Sequence, residues 1–168
     1  YKGRIISFGN YDTNSERLFG AMGDGVLFSA DREKYIEFCK RENHKTLLGY
    51  GLALSPEQLA AVDKEIAKLM SLTVPWDPPQ MVKPKRPGID KEEPMYAYKL
   101  KQEADGRLYK FTSSKFKTYF VMSTNCVLLA DTIVGAAETD ILSVRGFISP
   151  GTYQDYLDKE FERPHSLV

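Results

Sequence analysis

The sequence predicts an α+β fold: an antiparallel sheet packed against helices, with a candidate nucleophile at the N-terminus of one of them. Three observations carry that expectation. Two stretches, "SPEQLAAVDKEIAKLMSL" and "SPGTYQDYLDKEF", open with Ser-Pro and continue with apolar residues at helical spacing. Short β-branched and aromatic runs such as "GRIISFGN" stop at turn residues. Residues 123 to 134, "STNCVLLADTIV", run three helix-capping residue types into Cys126 and then into an apolar helical repeat.

Taken in order, a turn precedes a strand over Arg4 to Phe8, which ends at Gly9-Asn10. The chain starts at Tyr1 without a methionine, and the expectation is a processed or trimmed start with a partner strand ahead of it. "NSERLFGAMGDGVLFSAD" holds three glycines without a period, so it reads as a surface loop with a short strand at Val26 to Phe28. "SADREKYIEFCKRE" predicts a short helix behind Ser29 or Asp31, with Tyr35, Ile36 and Cys39 inward. "HKTLLGYGLAL" suits a strand. In the next helix Ser55 caps, Pro56 takes the first position, and Leu59, Val62, Ile66, Leu69 and Met70 form one stripe.

Residues 75 to 94 hold six of the nine prolines with charges of both signs, a density that predicts an extended insertion. Each flank is too small for a separate core, so the expectation is a single domain over 1–168. "MYAYKLKQEADGRLYKFTSS" alternates about Ala104-Asp105-Gly106 and predicts a β-hairpin; "KFKTYFV" adds a strand. A helix over Thr124 to Ala137 follows, then "ILSVRGFIS" as loop or strand. A last helix carries Tyr153, Tyr156, Leu157 and Phe161 inward.

Charge narrows the function. Lys plus Arg and Asp plus Glu each number 23, so no basic field exists to hold a nucleic acid. No apolar run is long enough for a transmembrane segment, and no charged-then-apolar leader opens the chain. Two cysteines, Cys39 and Cys126, are too few for a disulfide framework and lack metal spacing; no metal or organic cofactor is expected. A helix N-terminus offers unpaired N–H groups and partial positive charge that favour a thiolate, which predicts a lowered pKa at Cys126. The alternative is a small apolar residue packed in the core. Asp131 reads as a solvated helix face.

The segment "YFVMSTNCVLLADTIVG" resembles the cysteine helix of the circularly permuted, NlpC-type branch of the papain-like cysteine hydrolases. "FISPGTYQDYLDKEF" is similar to the turn and helix that follow it there, and "GRIISFGNYD" looks like the strand after the histidine strand. The likeness covers about the first ten and the last fifty residues. It implies a papain-like fold with Cys126 as nucleophile. Ser7 would then orient an imidazole, and the N–H of Cys126 would serve the oxyanion with Asn125 or Thr124 in support. The family's histidine strand would lie ahead of Tyr1. Within the chain the candidates for the catalytic imidazole are His44, between a charged helix and a strand, and His165, near the C-terminal end, either of which could reach Cys126 in the fold.

The resemblance further implies an amidase or peptidase acting on peptidoglycan peptides. It also implies an antibacterial effector of the type VI secretion kind, secreted or delivered to a periplasm and met by an immunity protein. Two other expectations stand beside it. One is a non-catalytic binding domain in which Cys126 merely packs, and the other is an acyltransferase or lipid hydrolase on the same scaffold.

Overall fold

Alternation along the central strand decides how the sheet is covered. The computed structural model describes residues 1–43, 47–83, 93–138 and 150–168. Strands β1 (Arg4–Gly9), β3 (Val26–Asp31), β4 (Thr73–Pro75) and β5 (Arg107–Phe111) form an antiparallel sheet in the order β1-β3-β5-β4. Val26, Phe28 and Ala30 of β3 point to one face, where they pack with Phe38 and Cys39 of α1 (Arg32–Asn43) and with Ala97 and Leu100 of α3 (Tyr96–Glu103). Leu27 points to the other face and joins Phe8, Phe111, Leu69 of α2 (Pro56–Ser71) and Leu129 of α4 (Cys126–Gly135). The sheet is thus covered by helices on both faces, as the period of two requires. Helix α5 (Pro150–Phe161) lies outside α4 and packs Leu157 against Tyr50, Leu52 and Val134.

A second, two-stranded ribbon sits at the end of β1. It pairs β2 (Met22–Asp24) with β6 (Thr118–Phe120), Gly23 lying opposite Tyr119. Asn10 Oδ1 rests over Gly23, 2.1 Å from where a Cβ would stand, and is buried with no hydrogen-bond partner among the described residues. Gly25 is equally constrained, because a Cβ there would meet the Phe116 carbonyl oxygen at 1.8 Å.

The α+β expectation holds, and most elements fall where the sequence placed them. Helix α1 takes Asp31 as its cap, whose carboxylate accepts from the N–H groups of Glu33 and Lys34. Helix α2 has the capping box of Ser55 and Gln58. The insertion begins in β4, where Pro75 ends a strand that is the edge of the sheet among the described residues. A bridge pairs Met81 with Pro94; residues 84–92 of the predicted insertion lie outside the described residues.

Three expectations are corrected. "MYAYKLKQEADG" is a helix, not a hairpin strand: Ala97, Leu100 and Ala104 recur at three and four residues and are all buried, so helical burial overrides the local alternation. Leu47 to Leu54 carry no regular strand; the run has two glycines, Gly49 and Gly51, and lies over α5 instead of beside the sheet. Phe161 is 70% exposed and not inward, because it stands at the last residue of α5 beyond the packed stripe. The stretch "ILSVRGFIS" lies outside the described residues.

Candidate active site at the start of helix α4

Sequence chemistry builds the start of α4 in one step. Asn125 adopts an extended conformation and its Oδ1 accepts from the N–H groups of Val127 and Leu128, each at 3.1 Å. Its Nδ2 donates to the Val121 carbonyl at 3.1 Å, so the same side chain ties the cap to the preceding turn. That turn is closed by Ser123 N–H to Phe120 O and Phe120 N–H to Thr124 O. Cys126 is the first helical residue, half-buried, with its sulfur facing its own N–H and that of Val127.

Two opposing effects act on this thiol. Burial raises its pKa, and the N–H groups of Val127 and Cys126 lower it. Burial wins, leaving the thiol above its ordinary value of 9.0. The lowered pKa predicted from the helix end is therefore corrected: partial charges from two N–H groups do not offset the lost hydration of a thiolate. An unassisted Cys126 is a protonated thiol at neutral pH.

Two phenols stand within electrostatic reach. Tyr119 of β6 packs its ring 5.7 Å from Phe8, and its pKa is raised first by burial and then by a Cys126 thiolate. Tyr11, two residues past β1, is raised strongly by burial, with the Ser7 hydroxyl opposing and Tyr96, Cys126 and Tyr119 adding to the shift. Tyr11 stands edge-on to Phe28 at 4.9 Å and covers Gly9, where a Cβ would meet its ring at 2.7 Å. Its phenol links the half-buried Ser7 of β1 to the neighbourhood of the thiol.

The structure brings Cys126, Asn125 and Thr124 together, and joins Ser7 to them through Tyr11. Asn125 is 3% exposed and acts as the helix cap. Thr124 holds its carbonyl on Phe120 and its hydroxyl 3.4 Å from that of Ser123. His44 lies outside the described residues. His165 is exposed near the end of the chain, and no hydrogen bond among the described residues joins it to Cys126. Asp131, expected on a solvated face, is partly buried; burial raises its pKa and Lys115 opposes. Cys39 is 4% exposed, in the core beneath Tyr35.

Tyr11 and Tyr119 were not singled out in the sequence. The only signal was position, one after the strand-ending Gly9-Asn10 and one in the strand before the capping run. A separate cavity of about 420 Å³ opens along the far half of α4, walled by Ile5 and Ile6 of β1, Val62 and Ile66 of α2, and Ile133 and Val134 of α4. Among the described residues no cluster of His, Cys, Asp and Glu could hold a metal ion, and no helix is long and apolar enough to cross a membrane. No family model matches this chain, and neither does any curated protein or solved structure.

Proposed function

We propose that the chain is a cysteine hydrolase that cleaves amide bonds, with peptidoglycan peptides as substrate, in the manner of the permuted papain-like hydrolases it resembles. The observation that carries this reading is the Cys126 sulfur at the first turn of α4, half-buried, with two backbone N–H groups facing it. The thiolate attacks the amide carbonyl carbon, and the N–H of Cys126 holds the resulting oxyanion. The C–N bond then breaks and the amine leaves with a proton from an imidazolium. Water attacks the thioester, gives its proton to the imidazole, and the thiol is released.

The raised thiol pKa makes that imidazole a requirement. Among the described residues strand β1 is an edge of the sheet, and Tyr11 at its end is within electrostatic reach of the thiol, so an additional strand carrying a histidine is expected against β1. Ser7 is the candidate to orient that imidazole. Delivery to a periplasm as an antibacterial effector, and a protein inhibitor that plugs the cleft, belong to the same reading.

Incubation of the complete protein with purified peptidoglycan, followed by mass analysis of the fragments, tests it. New peptide fragments are expected from the native protein and none from Cys126→Ala. Identical fragments from both remove the wall-hydrolase reading.

Two observations favour other readings. The raised thiol pKa favours a non-catalytic binding domain. The aliphatic cavity along α4 favours an acyltransferase or lipid hydrolase, since it suits a hydrocarbon chain.

A further inference from the structure

The loop from Arg17 to Met22 is a closed hairpin tip with an unusual backbone. Leu18, Phe19 and Gly20 stand consecutively in the left-handed region, at φ 50°, 56° and 85°. Glycine adopts that conformation freely, whereas two bulky residues in succession do so at an energetic cost. The result is that Leu18 and Phe19 point away from the protein, 63% and 110% exposed. The turn before Cys126 adds Val121 and Met122, at 43% and 53%, and the two loops are joined by Val121 N–H to Ala21 O at 3.1 Å.

What surrounds these side chains says what covers them. Residues 18 to 23 and 118 to 130 contain no charged side chain; the charges at the base of the tip are Arg17, 3.9 Å from Asp24, and Glu16, whose carboxylate stands 3.7 Å from where a Cβ of Gly20 would be. The backbone of the tip is largely bonded to itself: Arg17 O accepts from the N–H groups of Gly20 and Met22, Leu18 O from Ala21, and Met22 O from Arg17. Gly20 O accepts from Asn10 Nδ2, and Ala21 O from Val121. A protein partner is normally held through a polar rim and new hydrogen bonds, for which this tip offers few free groups. A hydrocarbon phase demands the opposite: convex apolar side chains, no charge, and backbone groups already paired.

We propose that the tip formed by Leu18, Phe19, Val121 and Met122 is a membrane anchor that inserts into the interfacial region of a lipid bilayer and holds the Cys126 end of the molecule against it. The anchor goes beyond the hydrolase reading and does not depend on it. Because the tip is neutral, its binding is driven by apolar burial and is insensitive to salt and to anionic lipid.

Co-sedimentation with phosphatidylcholine vesicles tests the anchor. The native protein and Cys126→Ser are expected to bind equally, at low and high salt, which separates this proposal from the thiol chemistry. Leu18→Asn with Phe19→Asn keeps the left-handed backbone, which asparagine tolerates, and removes the apolar side chains. Its vesicle partitioning is expected to fall by about ten-fold or more, with its melting temperature retained. Phe19→Trp is expected to shift its fluorescence to the blue on adding vesicles. No partitioning of the native protein, partitioning that survives the double asparagine variant, or binding that appears only with anionic lipid and vanishes in salt would each overturn it.

Discussion

At Cys126 two local rules compete, and their balance sets the reactivity of the whole site. The helix end supplies N–H groups to the sulfur, while the chain folded over it removes water, and the second effect is larger. Alkylation of the isolated chain by iodoacetamide is therefore expected to follow a thiolate titrating above 9.0. Preference for Cys126 over Cys39 follows from burial alone, so the informative quantity is the pH profile, measured by mass spectrometry of the adduct. A profile centred near neutral pH would show that an imidazole already acts on the thiol. The cap at Asn125 was legible because capping is decided within four residues. Tyr11 was not, because its nearness to the sulfur depends on the end of β1 meeting the start of α4 across more than a hundred residues of chain; Tyr119, seven residues before the sulfur, is brought near it by the turn that Phe120 and Thr124 close.

Elements succeed or fail as predictions according to how local their cause is. Helix α2 was readable from its capping box and stripe, and α4 from its capping run. Helix α3 was not, because "YAYKLKQ" satisfies periods of both two and four, and only the burial of Ala97 and Leu100 against α1 chooses between them. The start of α4 depends on one side chain for three hydrogen bonds, to Val127, Leu128 and Val121. Replacing Asn125 with Ala leaves those groups without that partner and is expected to reduce stability by about 2 kcal/mol, read from urea unfolding. Asn125→Asp retains the acceptor to the two N–H groups and loses the donor, so it is expected to fall between the two.

For the molecule as a whole, buried phenols set the alkaline limit of stability. Tyr11, Tyr35 and Tyr153 are each raised by burial above the ordinary 10.0. A phenol is neutral when protonated, so the stabilisation is whole below pH 10.0 and is lost as pH climbs toward the raised folded values. Lys110 acts in the same direction: burial lowers its pKa, but the bonds to Asp12 and Asp24, at 2.6 and 2.8 Å, more than offset this and hold it above 10.5. The melting temperature is expected to hold through neutral pH and to fall steeply above about pH 10, as scanning calorimetry across a pH series would show. An unchanged melting temperature at pH 11 would mean that these side chains are hydrated in solution.

The two borders of the main sheet are unlike. Among the described residues, on one side β4 is three residues long and finishes in Pro75, which has no N–H to offer; on the other, β1 presents the six residues Arg4–Gly9 with β3 as its one strand partner. A sheet with one usable border can add one neighbour and then has none left. Whatever meets β1, whether a strand of the same polypeptide or a second molecule, completes the sheet, so self-association along this route stops at pairs and cannot propagate into a fibre.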